Sequence, residues 1–224
     1  MKVVIRVGGS VVASPPNSKL MNQYVDLLKK LKAQKHEVVA VVGGGVLARD
    51  FIRTAGEMGL SEPDKDWVAI FVSRLFALLF VMQLGDLGCG KVPVSIDEAV
   101  DCFKHDKVVV MGGLKPGMTT DAVAAMIAER LKAGLLIKAT DQEGVYTKDP
   151  KKFLEATKID EINFKDLFTL LEESEHKAGI QQILDPVAVQ VLQKSRIKTV
   201  VVNGFKPENI LLVMKGKKIG TIIS

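Results

Sequence analysis

Three glycine-rich turns are the first features of this sequence that could do chemistry. Each follows a short run of β-branched residues: GGS at residues 8–10, GGG at 43–45 and GG at 112–113. A glycine turn lets backbone N–H groups approach an anion, and a following helix directs its positive end to the same place. Ligands of open parallel sheets bind at the carboxyl ends of strands. Three such turns therefore predict a site that holds several phosphate groups.

Two further glycine patterns match known phosphate-binding motifs only in part. Residues 43–48 fit the dinucleotide pattern G-x-G-x-x-A, but no acidic residue ends a strand about 20 residues later. Residues 85–91 fit the P-loop pattern G-x-x-x-x-G-K, but Val92 stands where a Mg²⁺-binding Ser or Thr is needed. We interpret both as accidental matches.

The segment from residue 112 to 121 is the richest in polar groups that could hold a ligand. It combines a glycine pair, Pro-Gly and two threonines directly before a helical pattern. The simpler alternative is that Thr119 or Thr120 only caps the helix and that Asp121 complements the helix dipole. The segment is more elaborate than a cap requires, which favours a ligand-binding loop.

Short β-branched runs alternate with longer stretches of helical period, which predicts an α/β fold with a mainly parallel sheet. The predicted strands are residues 3–7, 38–42, 107–111, 135–140, 199–202 and 219–223. The first predicted helix is capped by Asn17 or Ser18 and has its apolar face between Leu20 and Leu31. The other predicted helices lie near residues 45–52, 67–84, 121–132, 164–172, 186–194 and 207–215. Residues 148–160 are the only candidate hinge between two lobes.

Composition excludes several classes of protein. The 224 residues are 47% hydrophobic, 25% charged and 5% aromatic, which excludes a disordered chain. Two cysteines, Cys89 and Cys102, are too few for a disulfide scaffold and indicate a reducing, cytoplasmic compartment. The net charge is +5, but the lysines are scattered and few aromatic residues could stack on bases, so we predict no nucleic-acid partner.

Membrane and metal sites are also disfavoured. Residues 67–84 are long enough to span a membrane, but Arg74 near their middle favours a buried or subunit-interface helix. We expect the apolar face of this helix to be part of the core, and the alternative is a dimer contact. The face comprises Val68, Phe71, Val72, Leu75, Leu79 and Met82. The three histidines have no partner at metal-ligand spacing, so we predict no protein-held metal.

The ordered set of motifs resembles the amino-acid kinase family and, within it, the archaeal-type UMP kinases. The resemblance covers essentially the whole chain. It rests on the turns at 8–10 and 43–49, Asp66 with Ser73-Arg74, the segment 111–121, GVYTKDP at 144–150, Ala178-Gly179, Asp185-Pro186 and Gly220-Thr221. It implies a three-layer α/β/α sandwich with a central, mainly parallel sheet. The chain would be one domain, with an acceptor lobe over about residues 1–135 and an ATP lobe over about 136–224.

The activity implied by the resemblance is phosphoryl transfer from ATP to UMP, with Mg²⁺ arriving on ATP. It implies a homo-oligomer, a hexamer built from dimers. The implied ATP-binding residues are Gly9, Ser10, Gly45, Arg49, Thr140, Asp141, Tyr146 and Asp149. The implied UMP-binding residues are Gly44, Asp66, Leu114, Lys115, Pro116, Gly117, Met118, Thr119 and Thr120.

Two residues are implied to be catalytic. Many family members carry Lys two residues before the first glycine, and Arg6 occupies that position here. We expect Arg6 to neutralise the transferring phosphoryl group and Asp121 to organise the site. The alternatives are an ordinary strand residue that faces a loop and a residue that only begins a helix.

The chain departs from the family pattern mostly beside the acceptor. Met118 stands where relatives often have His, Glu143 where Asp is usual and Phe76 where Asn is common. Ala69 and Ser73 replace a usual Gly and Thr. Because the phosphate-binding glycines are retained, two alternatives stay open. One is a kinase for another small acceptor, and the other is a non-catalytic nucleotide-binding protein on the same fold.

Overall fold

The computed structural model describes residues 1–176 and 184–224, with the backbone alone at 172–176. Its central sheet has seven strands in the order β3-β2-β1-β4-β8-β9-β7, and β5 pairs with β6 separately. The strands are β1 (Lys2–Val7), β2 (Glu37–Val42), β3 (Val109–Met111), β4 (Leu135–Thr140), β5 (Val145–Tyr146), β6 (Lys158–Ile159), β7 (Glu161–Ile162), β8 (Thr199–Asn203) and β9 (Thr221–Ile223). All neighbours in the large sheet are parallel except β8 and β9.

Helices cover both faces of this sheet. They are α1 (Gly9–Val12), α2 (Ser18–Ala33), α3 (Gly45–Glu57), α4 (Glu62–Leu84), α5 (Ile96–Lys104), α6 (Thr120–Leu131), α7 (Phe164–His176), α8 (Pro186–Ser195) and α9 (Glu208–Met214). Asn17 is the cap of α2, since its Oδ1 accepts from the N–H of Leu20 at 2.9 Å. Such a cap satisfies one of the backbone donors that a helix leaves unpaired at its start.

Alternation along the strands builds two separate cores. Val3, Ile5 and Val7 of β1 pack on one side with α2, α4 and α9. Val4 of β1 and Val39 of β2 pack on the other side with α5, α6 and α8. Successive side chains of a strand point to opposite faces, and a sheet buried on both faces reads as a continuous apolar run. The predicted three-layer α/β/α sandwich is therefore confirmed.

Most predicted elements are present, and the exceptions are short. The strand predicted at 107–111 begins only at Val109, because the backbone of Val108 pairs with the loop that follows α4. Helices α1 and α5 and strands β5 to β7 were not predicted. Two-residue strands show no period, and α5 is only nine residues long.

The apolar face of α4 that was predicted to be core is mostly exposed. Of its six residues only Val72 is buried and four are exposed; the six are Val68, Phe71, Val72, Leu75, Leu79 and Met82. Phe76 and Phe80 are buried against the sheet, but Phe71 and Met82 are 61% and 68% exposed. The helix is apolar nearly all round, while the sheet covers one side of it. By length and composition alone, residues 62–87 also qualify as a membrane span. The exposed side of α4 is an apolar surface that the described residues leave uncovered.

The two cysteines form a disulfide. Cys89 follows α4 and Cys102 lies in α5, and their Cα atoms are 5.5 Å apart. Because the cysteines are paired, their small number is no longer an argument for a reducing compartment.

Candidate active site

The strand order reverses at β1, and a cavity opens there at the carboxyl edge of the sheet. The chain leaves β1 toward α2 on one face of the sheet, whereas the helices that follow β4, α7 and α8, pack on the other face. The loops after β1 and β4 therefore diverge and leave a crevice, which is where open α/β sheets bind ligands. The cavity has a volume of about 500 Å³.

Two glycine turns form the cavity wall by direct backbone contact. A Cβ at Gly9 would lie 2.1 Å from the backbone N of Gly45, and Gly45 itself has φ of +62°. Ser14 ties the turns together, since its Oγ donates to the Gly9 carbonyl at 3.1 Å and accepts from the Val46 N–H at 2.7 Å. Glycine is therefore required at both positions for close approach, in addition to any role in anion binding.

The charges around the cavity favour an anionic ligand. Its lining contains four cationic side chains and two carboxylates: Arg6, Arg49, Lys138, Lys151, Asp121 and Asp141. Lys151 Nζ donates to Asp141 Oδ2 at 2.6 Å. Burial would raise the pKa of Asp141, but the hydrogen bond and charge of Lys151 hold it below the ordinary aspartate value.

At the bottom of the cavity, Asp121 holds a cation on each of its carboxylate oxygens. Arg6 Nε lies 2.7 Å from Asp121 Oδ1, and Lys138 Nζ hydrogen-bonds to Oδ2. Arg6 Nη2 also donates to Thr120 Oγ1 at 2.9 Å. Burial opposes ionisation of Asp121, but the charges of Arg6 and Lys138 outweigh it and keep its pKa below the ordinary value. Asp121 is therefore a carboxylate that positions two cations, and it is poorly suited to act as a base.

Sequence reasoning missed Lys138. It was included in a predicted strand, where its neighbours Ile137 and Ala139 are buried and apolar. A lysine inside such a run was itself the available signal, because a buried charge is retained only where it is paired or has a task.

The loop after β3 is anchored to α4 by Arg74. Its Nε donates to the Gly113 carbonyl at 2.8 Å, and its Nη2 donates to the Leu114 carbonyl at 2.9 Å. The guanidinium carbon lies 5.9 Å from the ring centroid of Trp67 and 5.8 Å from that of Phe71, within cation–π range. The planar guanidinium thus links an aromatic pair on α4 to two loop carbonyls.

A second contact holds the tip of the same loop. Asp66 Oδ2 accepts from the Gly117 N–H at 2.7 Å. Gly113 is held in turn by Ser73 Oγ, which accepts from its N–H at 2.8 Å. The loop is therefore fixed at its start and at its tip to α4.

The cavity brings together ten of the predicted site residues. They are Arg6, Gly9, Ser10, Gly44, Gly45, Arg49, Thr120, Asp121, Thr140 and Asp141. The cavity lining also contains Gly43, which belongs to the predicted glycine turn, and Lys138, Gln142 and Lys151, which were not predicted. Predictions from widely separated turns therefore converge on one place.

The remaining predicted residues lie beside this cavity or are engaged elsewhere. Asp66 and the loop residues 114–119 do not line it, and Thr119 is the cap of α6, with Oγ1 accepting from the Ala122 N–H at 3.1 Å. Tyr146 pairs with Lys158 across β5 and β6. Asp149 is buried and accepts from the Lys151 N–H at 3.0 Å.

Ala178 and Gly179 lie outside the described residues, so their place relative to the cavity is not described.

Comparison with known proteins agrees with this geometry. The model of the amino acid kinase family matches residues 1–203. The chain belongs to the amino acid kinase family. It is 41% identical over 225 residues to a uridylate kinase of Methanocaldococcus jannaschii, covering 100% of this chain and 99% of that protein. It is 43% identical to a uridylate kinase of Methanocella arvoryzae over 223 residues, with the same coverage.

Solved structures show the same similarity within the amino acid kinase family. The crystal structure of uridylate kinase from Archaeoglobus fulgidus matches with a TM-score of 0.90 and 38% identity, covering 100% of both chains. A UMP kinase from Bacillus anthracis matches with a TM-score of 0.83 at 21% identity, which supports the fold alone.

Two departures from the family pattern have a structural explanation in packing. Phe76 is a residue of α4 that is buried in the core between this helix and the sheet. Met118 packs against the apolar cluster on the opposite face of the sheet. Neither side chain lines the cavity. Both side chains are therefore packing residues and do not form part of the cavity lining.

Proposed function

We propose that the protein is a UMP kinase that transfers the γ-phosphoryl group of ATP to UMP, giving UDP and ADP, in pyrimidine nucleotide synthesis. The observation that carries the proposal is the similarity to uridylate kinases over the full chain, at 41% and 43% identity. The cavity supports it, because glycine turns and an excess of cations surround a space at the carboxyl edge of the sheet.

We assign the ATP phosphates to the glycine turns after β1 and β2. Gly9, Ser10 and Gly45 would offer backbone N–H groups, and Arg49 from α3 would add charge. The adenosine part would extend along the second lobe, past Thr140, Asp141, Tyr146 and Asp149. The sheet is consistent with two lobes, since β1 to β3 come from the first 135 residues and β4 to β9 from the remainder.

We assign UMP to the part of the cavity next to Gly44 and Thr120, both of which line it. The loop that leads to Thr120 would complete the UMP site, through the residues Leu114, Lys115, Pro116, Gly117, Met118 and Thr119, with Asp66. The bonds from Arg74 and Asp66 to this loop support the assignment, because a held loop presents its amide groups to an acceptor at little entropic cost.

In the transfer itself, the bond from the bridging oxygen to Pγ breaks and a bond from a UMP phosphate oxygen to Pγ forms. ADP leaves with the electron pair of the broken bond. Such a reaction needs positioning and charge neutralisation more than covalent help from the protein. Arg6 would neutralise the transferring group, and Asp121 would hold Arg6 in place through the 2.7 Å ion pair.

Magnesium is expected to arrive on the ATP phosphates. The described residues contain no group of three or more His, Cys, Asp or Glu side chains that could hold a metal. The cavity carboxylates Asp121 and Asp141 are each paired with a cation. A metal bound to ATP would supply charge neutralisation at the phosphates, while these residues bind and orient the nucleotides.

The test is an ADP-release assay with ATP and Mg²⁺ and with each nucleoside monophosphate in turn. Rapid turnover with UMP, and far slower turnover with the others, is the expected result. Turnover with a different small acceptor would move the assignment to another kinase of the same fold. Binding of ATP without turnover on any acceptor would replace it by a nucleotide-binding role.

We also propose that the protein is a cytoplasmic homo-oligomer, a hexamer built from dimers through the exposed apolar face of α4. The exposure of Phe71, Leu75 and Met82 supports a covered face. Phe71→Glu should break the contact through α4 and halve the mass of the hexamer measured by analytical ultracentrifugation. Leu154→Glu, on an exposed loop, is the matched control and should leave the mass unchanged. A monomeric wild-type protein would refute this assembly.

A further inference from the structure

Lys138 is a buried lysine in the cavity wall to which the family resemblance assigns no role. Its side chain is 6% exposed and it lines the cavity together with Arg6. The two residues are direct partners in the β1–β4 ladder, so both side chains lie on the same face of the sheet. Both reach Asp121 in the first turn of α6. Sheet register therefore places two cations side by side at one point of the site.

Placing two buried cations side by side lowers the stability of the fold. Like charges directly opposite one another in neighbouring strands repel, and burial of a charge is costly even when it is paired. Burial lowers the pKa of Lys138, while the charges of Asp121 and Asp185 oppose that effect. The positive end of α6 lies at the same point. The fold thus concentrates positive potential where the cavity meets the glycine turns.

We propose that Lys138 is a second catalytic residue, whose Nζ contacts the γ-phosphoryl group beside Arg6 during its transfer from ATP to UMP. This inference rests on the proposed function. The bonds broken and formed are those of the transfer already described, and Lys138 neither gives nor takes a proton. It acts as a fixed positive charge on the phosphoryl oxygens, and Asp121 is the positioning residue that fixes it.

The ammonium suits this task differently from the guanidinium. Arg6 already uses Nη2 on Thr120 and Nε on Asp121, so part of its fork is committed to the protein. An ammonium group is a compact point charge, and that of Lys138 is held by its hydrogen bond to Asp121. The site therefore contains both kinds of cation. Arg6 supplies a guanidinium where many relatives carry Lys, and Lys138 supplies an ammonium.

The experiment compares Lys138→Met and Lys138→Arg with wild type in the ADP-release assay. Lys138→Met should lower kcat by about 100-fold to 1000-fold with KM for UMP within about threefold, as removal of one preorganised donor does. Lys138→Arg keeps the charge and should lower kcat about tenfold, because a planar group cannot reproduce the position of Nζ. Lys104→Met, at an exposed site in α5, is the matched control and should behave as wild type.

A second readout needs no turnover. Calorimetry without UMP gives the ratio of the ADP and ATP dissociation constants, which isolates contacts to the γ-phosphate. This preference for ATP should fall about tenfold in Lys138→Met, the loss expected for one charged hydrogen bond. A lysine that only stabilises the fold would lower the melting temperature and leave the ratio unchanged.

The outcomes separate the two proposals. If wild type does not turn over UMP, the proposed function fails, and the ADP-to-ATP ratio still tests Lys138. If wild type turns over UMP, but the variants keep kcat and the ratio within threefold of it, Lys138 is structural and the inference is overturned. If Lys138→Met does not fold, Lys138→Arg decides by the same two criteria.

Discussion

Replacement of Asp121 by Asn should destabilise the protein strongly, and the structure supplies the magnitude. The carboxylate is 11% exposed and faces two cations, Arg6 and Lys138. Asp121→Asn removes the charge and leaves these cations facing each other. Loss of one partner of a buried pair costs about 3–5 kcal/mol, a large share of the 5–15 kcal/mol that is typical of whole domains. At this chain length that loss corresponds to a fall in Tm of about 6–20 °C.

The pH dependence of this loss provides a sharper test. The folded pKa of Asp121 is depressed, so its contribution is present above the ordinary aspartate value of about 3.9 and is lost as pH falls through the folded pKa. Without Asp121, the pKa of Lys138 falls further below its ordinary value. The variant therefore regains stability as pH rises toward about 10, where the unfolded lysine also loses its proton. The stability gap between variant and wild type should be largest near neutral pH.

Urea denaturation followed by circular dichroism, at several pH values, measures this gap. Asp101→Asn is the matched control, because Asp101 pairs with Lys104 on the surface of α5. That variant should have the denaturation midpoint of wild type near neutral pH. A stable Asp121→Asn protein, or a gap that is constant across pH, would refute the view that Asp121 stabilises two buried cations.

Three further predictions test other parts of the site and core. Gly9→Ala should lower the free energy of unfolding by about 1–3 kcal/mol and weaken ATP binding in calorimetry, because the new Cβ would lie 2.1 Å from the backbone nitrogen of Gly45. Gly56→Ala, in helix α3, is the control and should bind ATP as wild type does. Arg74→Lys should raise KM for UMP about tenfold with little change in KM for ATP, since lysine cannot donate to two carbonyls in a planar fork; equal rises in both KM values would contradict this. Tyr24→Phe should cost about 1 kcal/mol in urea denaturation, because the buried hydroxyl loses its 2.8 Å hydrogen bond. Burial raises the pKa of Tyr24, so wild type should lose stability as pH rises above about 10, and Tyr24→Phe should lose less.

Local patterns in the sequence predicted most of the elements and the glycine turns that line the cavity. Strands β1, β2 and β4 follow from β-branched and leucine-rich runs, and the glycines that end two of them follow from the need for close backbone approach. These signals are visible because a strand, a cap or a tight turn is specified by residues that are neighbours in the chain. The ordered motifs also sufficed to place the chain in its family.

The short elements escaped because their signals are weak or non-local. Among the described residues, strand β7 pairs with β9 alone, about 60 residues later, and it has only two residues of its own. Helix α4 shows a different limit, since its composition is apolar nearly all round. Periodicity identifies such a helix but does not indicate which face the sheet covers.

Only the tertiary structure decided which charges meet. Arg6 and Lys138 are separated by 132 positions, and their contact with one carboxylate depends on the register of β1 against β4 and on the side of the sheet where α6 packs. Register and packing side are set by the whole core, because a shift of one residue would turn every side chain of a strand to the other face. The sequence by itself predicted phosphate binding at the glycine turns, and the fold decided which cations lie beside those turns.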